Sequence, residues 1–105
     1  MKPIFVWQNK MLKKINPEKV ICLCADGNYT RIIMADKTYY LVRASLSNVL
    51  KKLPPEIFIK VHRSLAASVY YIDGIYRDHL LVDGEPIPIG KQYYQSLIDK
   101  LNIIE

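Results

Sequence analysis

The sequence lacks the features that mark membrane and secreted proteins. No apolar run approaches the roughly 18 to 20 residues that are needed to span a bilayer. The first residues, 1–7, are too short for a secretory signal and contain no cleavage site of small residues. We therefore expect a cytoplasmic protein that has no membrane partner.

Cysteine and histidine are scarce, which argues against the common metal sites. Cys22 and Cys24 stand two residues apart, so in a strand both side chains face the same way and are poorly placed to bond each other. Together with His62 and His79 they match no spacing that is typical of a zinc site. We expect reduced cysteines, no metal and no other cofactor.

Basic residues outnumber acidic ones. Fifteen Lys and Arg against ten Asp and Glu give a formal net charge of +5, which favours polyanionic partners. Half of the residues are hydrophobic and 24% are charged, a balance that is typical of a folded domain. The length of 105 residues suits one modest core, and no linker or repeat divides the chain, so residues 1–105 are interpreted as a single domain.

Short apolar runs separated by turn residues predict a mainly β fold. We predict strands at residues 4–7, 11–15, 20–24, 29–34, 38–42, 58–61, 69–75 and 80–82, with residues 66–68 as a loop and 83–84 as a hairpin turn. Helical spacing appears at residues 46–53, after the capping residue Ser45, and again at residues 94–101. The pattern predicts antiparallel β-sheets with one short internal helix and a C-terminal helical segment. It excludes a helix-turn-helix, because no two helices are joined by a short turn.

The predicted core draws on apolar side chains from these elements. It consists of Leu46, Val49, Leu50, Leu53, Ile32, Leu41, Ile59, Val61, Ile72 and Leu81. Six of the eight tyrosines come in adjacent pairs, and in strands one tyrosine of each pair should pack while the other faces out.

Three predicted loops contain residues that suit nucleic acid: residues 26–31, the motif His62-Arg63-Ser64, and residues 87–92. The Arg63 guanidinium offers a fork of donors that matches the O6/N7 edge of guanine, and the residues beside it can donate to phosphate oxygens. Each loop alone has an ordinary explanation. The first loop could be a plain turn, the second a solvated basic edge, and the third a helix N-terminus that faces water. Their combination on a small basic domain favours DNA.

The order of these motifs resembles that of the LytTR family of bacterial DNA-binding domains. The matching segments are residues 25–30, Ser45-Leu46, residues 58–64, Ile72 with Ile75, and residues 86–89 before Lys91, within about residues 4–101. The resemblance implies small antiparallel sheets whose loops enter successive major grooves of double-stranded DNA.

The resemblance also implies roles for particular residues. The positions of the family's base contacts fall on Tyr29, Arg63 and Lys91, and phosphate contacts would come from Asn28, Thr30, His62 and Ser64. Lys10, Lys13, Lys14, Lys60 and Arg31 are further candidates for neutralising phosphates. No catalytic residue is implied.

Family members commonly regulate transcription as output domains of two-component systems, so a receiver domain or a sensor kinase is an expected partner. Two copies are expected on direct repeats of DNA. The sequence departs from the family pattern where Cys22-Leu23-Cys24 replaces a segment that commonly holds an acidic residue. It also has Lys91 where Arg is frequent, and Lys lacks the bidentate fork.

Other functional classes stay open at this point. His62 and His79 could form the acid–base pair of a ribonuclease. Outward-facing tyrosines could stack single-stranded bases. A small β domain with exposed tyrosines and Pro86-Ile87-Pro88 could serve as a non-catalytic protein-interaction or dimerisation module. Steep salt dependence of binding to duplex DNA would favour the regulator over the interaction module.

Overall fold

The computed structural model describes residues 3–105 and confirms the mainly β fold. Within these residues the elements are β1 (Ile4–Gln8), β2 (Met11–Ile15), β3 (Val20–Asp26), β4 (Tyr29–Met34), β5 (Tyr39–Val42), α1 (Leu46–Leu50), β6 (Phe58–His62), β7 (Leu65–Ser68), β8 (Ile72–Ile75), β9 (His79–Val82), β10 (Glu85–Pro88) and α2 (Lys91–Asp99). Short 3₁₀ turns lie at Pro17–Lys19 and Val69–Tyr71. No helix of this part of the chain is long and apolar enough to cross a membrane.

The central layer is an antiparallel sheet of five strands in the order β5-β4-β3-β7-β6. The β1–β2 hairpin and α1 cover one face, where a core cluster includes Val6, Leu23 and Leu46. The three-stranded sheet β10-β9-β8 and α2 cover the other face, where a second cluster includes Ile59 and Leu97. Because β3 lies in the middle and is covered on both sides, its first four residues are all buried, as its continuous apolar run predicts.

Two of the hairpin turns use the residues that their backbone conformations require. Gly27 joins β3 to β4 with a φ of +60°. Asp83 and Gly84 join β9 to β10 with φ values of +50° and +83°, the pair of left-handed residues that a two-residue type I′ hairpin needs. Gly27 in the β3–β4 turn and the Asp83-Gly84 pair in the β9–β10 turn therefore help to fix the register of the strands that they connect.

The internal helix begins where the sequence predicts. The Ser45 side chain accepts a hydrogen bond from the Asn48 backbone N–H at 3.2 Å and so caps the first turn. The regular helix ends at Leu50, and the chain continues through a turn that still buries Leu53. Helix α1 is therefore only five residues long and is held by its apolar face.

Two predicted elements are wrong. Residues 66–68, predicted as a loop, belong to β7, which pairs with both β3 and β6. Ala66, Ala67 and Ser68 are all buried there, because a strand that is covered on both faces has room for small side chains. Residues 69–75, predicted as one strand, begin with a 3₁₀ turn in which Ser68 Oγ accepts the Tyr70 N–H, and only then form β8.

The core prediction fails at two leucines. Leu41 is 46% exposed because β5 is the edge strand of the central sheet. Leu81 is half-buried, whereas its neighbours Leu80 and Val82 are 0% and 2% exposed. The side chains of β9 that face the core are therefore those of Leu80 and Val82, and not that of Leu81 as predicted. Val49, Leu50 and Ile72 are half-buried at the margins of the two clusters.

Two of the three tyrosine pairs divide as predicted, although only Tyr39-Tyr40 lies in a strand and Tyr70-Tyr71 lies in a 3₁₀ turn. Tyr39 and Tyr70 are exposed while Tyr40 and Tyr71 are half-buried. The third pair, residues 93–94, lies in α2, and both of its side chains are half-buried. In an α-helix consecutive side chains do not point to opposite faces, so the strand rule does not apply to this third pair.

Candidate nucleic-acid interface

The first two predicted loops lie next to each other at one end of the central sheet. Strands β3 and β7 are paired there, with Cys24 opposite Leu65. Beyond this pair the Ala25 N–H donates to the Ser64 carbonyl at 2.9 Å. The β3–β4 turn and the β6–β7 turn are thereby fixed side by side.

The third predicted loop joins the second one. The Gly90 N–H donates to the Val61 carbonyl at 2.9 Å, so the start of α2 lies against the end of β6. His62, Arg63, Lys91 and their neighbours line a shallow cavity of about 170 Å³ between the two segments. We call the surface formed by residues 27–29, 62–64 and 90–92 the loop surface.

Arg63 lies at the turn between β6 and β7 and is exposed. Among the described residues, no carboxylate lies within 4.0 Å of its guanidinium. Tyr29 is 39% exposed, and Asn28 and Lys91 are exposed as well. The structure thus brings all three predicted base-contact residues to the loop surface, with Arg63 in the middle segment.

His62 and Ser64 hold the middle segment in shape. The Ser64 backbone N–H donates to His62 Nδ1 at 3.2 Å, and Ser64 Oγ lies 3.0 Å from the same nitrogen. A backbone N–H can only donate, so Nδ1 is an acceptor and the neutral ring carries its proton on Nε2. His62 therefore keeps an Nε2–H donor that is not used in this contact.

Thr30 does not fit the phosphate contact predicted for it. Its side chain is 0% exposed, and its hydroxyl donates to the Ala44 carbonyl at 2.8 Å. Thr30 faces the core side of β4 because Tyr29, its neighbour in the strand, faces out. Its role in the structure is to tie the first loop to the segment that follows β5.

Comparison with known protein families shows to which family this chain belongs. A family model described as the LytTr DNA-binding domain matches residues 10–102. The chain belongs to the LytTR family of DNA-binding domains.

A solved structure from Bacillus cereus has the same fold as this LytTR domain. It is the LytTr DNA-binding domain of a protein described as a methyl-accepting/DNA response regulator. The match covers 98% of this chain and 99% of that chain, with a TM-score of 0.81 and 23% sequence identity. No curated protein matches the sequence.

The LytTR domain has a further basic residue at the same end of the sheet, Arg43, which our sequence analysis missed. Strand β5 pairs with β4 so that Val42 lies opposite Thr30, and Arg43 follows directly. Arg43 is exposed, and no carboxylate in the described chain lies within 4.0 Å of it. Counting the register of the hairpin from its turn would have placed Arg43 beside the first loop.

Arg31, in contrast, is engaged within the LytTR domain. Its Nη2 lies 2.9 Å from Asp26 Oδ2, and its guanidinium carbon lies 4.7 Å from the centre of the Tyr39 ring. Its Nε is buried and has no hydrogen-bond partner among the residues that the structure describes. Arg31 is therefore less suited to neutralise phosphates than the exposed Arg43.

We expect Thr30→Val to lower the free energy of unfolding by about 1–3 kcal/mol, because the replacement has a similar shape but leaves the Ala44 carbonyl without its donor. Urea denaturation measures the change. Thr38→Val is the control: the Thr38 hydroxyl donates to Asp36 in the exposed turn between β4 and β5, where water can replace the lost bond, so stability should change by less than about 1 kcal/mol. Equal effects of the two substitutions would contradict the structural role of Thr30.

Cys24 lies at the same end of the sheet and pairs with Arg31 on β4 and Leu65 on β7. Hydrogen bonding to the Cys22 thiol and attraction to the Arg31 guanidinium outweigh partial burial and lower the pKa of Cys24 to about 7. The same hydrogen bond, together with burial, raises the pKa of Cys22. Both thiols are free.

Alkylation of Cys24 by iodoacetamide should therefore reach half of its maximal rate near pH 7, because the reactive thiolate forms above the pKa of about 7 rather than above the ordinary 9.0. Peptide mass spectrometry at successive pH values separates the labelling of Cys24 from that of Cys22. In Cys22→Ala the hydrogen bond is lost, and the midpoint should move to higher pH. A midpoint that Cys22→Ala does not move would show that Cys22 has no part in the shift.

Proposed function

We propose that this LytTR domain binds double-stranded DNA in a sequence-specific manner by placing its loop surface in the major groove. In this proposal Arg63, Tyr29 and Lys91 face base edges. The observation that carries the proposal is the meeting of three separate loops at one end of the sheet, with an exposed arginine in the middle segment that has no carboxylate partner within residues 3–105.

Arg63 is assigned the main role in base recognition. Its planar guanidinium can donate two parallel hydrogen bonds to O6 and N7 of guanine, which is the commonest specific contact in the major groove. Lys91 offers a single ammonium group and so discriminates less sharply between bases. Tyr29 can pack against a thymine methyl group or donate its hydroxyl.

Phosphate contacts are assigned to donors around these residues. They are the exposed Asn28 amide and Arg43 guanidinium and the half-buried His62 Nε2–H. The Ser64 hydroxyl donates to His62 Nδ1 and could contact a phosphate only by giving up that bond. Such contacts orient the domain on the duplex and contribute affinity without reading sequence. The first turn of α2 supports them, because Gly90 caps it without a side chain and its backbone N–H groups favour negative charge.

As a regulator, the domain would act in the cytoplasm as the output part of a two-component-type system. Two copies would bind direct repeats, and a receiver domain or a sensor kinase would supply the signal. The membership in a family of DNA-binding domains supports DNA binding.

Selection of bound duplexes from a random pool, followed by salt titration of the best sequence, tests the proposal. We expect a defined motif and a slope of log K against log salt of about −0.9 for each neutralised phosphate. Of the assigned phosphate contacts only Arg43 is a cation, so it alone contributes about −0.9, and each further Lys or Arg that lies on a phosphate adds about the same amount. Binding that yields no motif and ignores salt would reject the proposal and favour a protein-interaction module.

We further propose that the domain is not catalytic. His79 Nδ1 lies 2.7 Å from Asp78 Oδ1, and its ring stacks on Tyr76 at 4.4 Å, whereas His62 is bonded to Ser64. The two histidines thus have separate partners and form no contact with each other. Incubation of the domain with labelled RNA should give no cleavage, and cleavage that His62→Ala or His79→Ala abolishes would overturn this.

A further inference from the structure

A larger cavity lies on the face of the central sheet that carries α1. It opens between β1, β5 and α1 and has a volume of about 360 Å³. Pockets that bind small molecules typically measure roughly 300–1,000 Å³. We call it the hairpin cavity, because the β1–β2 hairpin forms one of its walls.

The hairpin cavity combines an apolar interior with positive charge. Ile4 and Val6 of β1, Val42 of β5, Val49 of α1 and Leu53 in the turn after α1 supply apolar surface. The polar side chains in its lining are those of Arg43, Asn48 and Lys52, and no acidic residue of the described chain takes part.

The two cations of the hairpin cavity are not neutralised by the protein itself. Arg43 and Lys52 are both exposed. Within residues 3–105 neither has a carboxylate within 4.0 Å. A ligand that brings one negative charge and an apolar body would therefore complement the cavity on both counts.

We propose that the hairpin cavity binds an amphiphilic carboxylate with a medium-length alkyl chain, of the free fatty acid class. The alkyl chain lies between Val6, Val49 and Leu53, and the carboxylate meets Arg43 and Lys52. Burial of the chain supplies most of the affinity, because each methylene removed from water contributes favourably. The two cations select an acid over a neutral chain of the same length.

A second copy of this chain fits the cavity less well. A copy with a net charge of +5 would bring positive charge against Arg43 and Lys52.

The inference about the hairpin cavity rests on the cavity alone and does not require that the domain bind DNA. One wall of the cavity, residues 4–7, lies outside the segment that the family model matches, which is residues 10–102.

Trp7 provides a direct measurement, since it lines the cavity, is 67% exposed and is the single tryptophan of the sequence. Decanoate, titrated below its micelle-forming concentration, should shift Trp7 emission to shorter wavelength in a saturable manner. Affinity should rise about three- to fourfold for each methylene added between octanoate and decanoate. Decanol should bind about two- to fivefold more weakly than decanoate, because exposed ion pairs are weak.

Two variants locate the site, and one serves as a control. Lys52→Gln should weaken decanoate binding about two- to fivefold. Lys51→Gln removes the same charge from the neighbouring exposed residue, which does not line the cavity, and should leave binding unchanged. Val49→Phe should fill the cavity and abolish binding, and a thermal melt checks that this variant is folded.

Three results would overturn the proposal. One is a Trp7 fluorescence shift that does not saturate with decanoate, or a shift that neither Lys52→Gln nor Val49→Phe alters. Either result would indicate that decanoate adsorbs to the exposed hairpin. Another is binding to anionic vesicles without binding of monomeric decanoate. The last is self-association in sedimentation experiments without any decanoate binding, which indicates that a second copy covers the cavity.

Discussion

Arg63→Ala is expected to weaken binding to the preferred operator by about 5- to 150-fold, since a bidentate arginine–guanine contact contributes about 1–3 kcal/mol of discrimination. It should also remove the preference for guanine at one position and leave the other positions unchanged. Arg63 is exposed and has no carboxylate partner in the described chain, so its loss breaks no ion pair that holds the fold. Dissociation constants on a panel of operators with single-base changes measure both effects.

Arg43→Ala is the matched control, because it removes the same kind of side chain from the same end of the sheet. As a phosphate contact, Arg43 should contribute equally to all sequences, and its loss should flatten the salt slope by about 0.9. The dissociation constants for all operators of the panel would then rise by the same factor. If both variants gave the same profile across the panel, the assignment of Arg63 to base reading would be wrong.

The turns of the candidate site could be predicted from the sequence, but their meeting could not. Asp26-Gly27 and Asp83-Gly84 specify turns through local backbone preferences, which act within a few residues. The contact between the first and second loops depends on the pairing of β3 with β7, about forty residues further along the chain. Sequence patterns identify strands but do not state which strands are neighbours, and here the resemblance to a family supplied that information.

Strand β7 was missed because its residues have little intrinsic preference for a strand. Alanine is depleted in strands, and Ala66-Ala67-Ser68 has no alternation of apolar and polar residues. The surrounding structure decides the conformation: β7 lies between β3 and β6 and is covered on both faces, so small side chains fill the space that is left. A propensity argument cannot detect a strand of this kind.

Thr30 shows an error that the sequence itself could have prevented. Side chains alternate along a strand, so Thr30 and the predicted core residue Ile32 must face the same side of β4. Both are buried, whereas Tyr29 is exposed. For Leu81 no such argument was possible, because both of its neighbours are apolar and the phase of β9 cannot be read from the pattern.

Leu97→Ala is expected to lower the free energy of unfolding by about 2–5 kcal/mol, the usual cost of removing a fully buried leucine side chain. Leu97 is 0% exposed and belongs to the core cluster that includes Ile59 and Val61 of β6. Domains of this size are typically stable by about 5–15 kcal/mol, so the loss is a large fraction of the total. Urea denaturation and thermal melts should both report it.

Ser96→Ala is the control for Leu97→Ala, because Ser96 is the adjacent exposed residue of the same helix. It should change stability by less than about 0.5 kcal/mol, since alanine is the better helix former and no contact is lost. Helix α2 carries Lys91 at its first position, so its packing through Leu97 determines where the third segment of the loop surface lies. If Leu97→Ala were as stable as Ser96→Ala, α2 would not be docked on β6, and the position of Lys91 beside Arg63 would have no structural support.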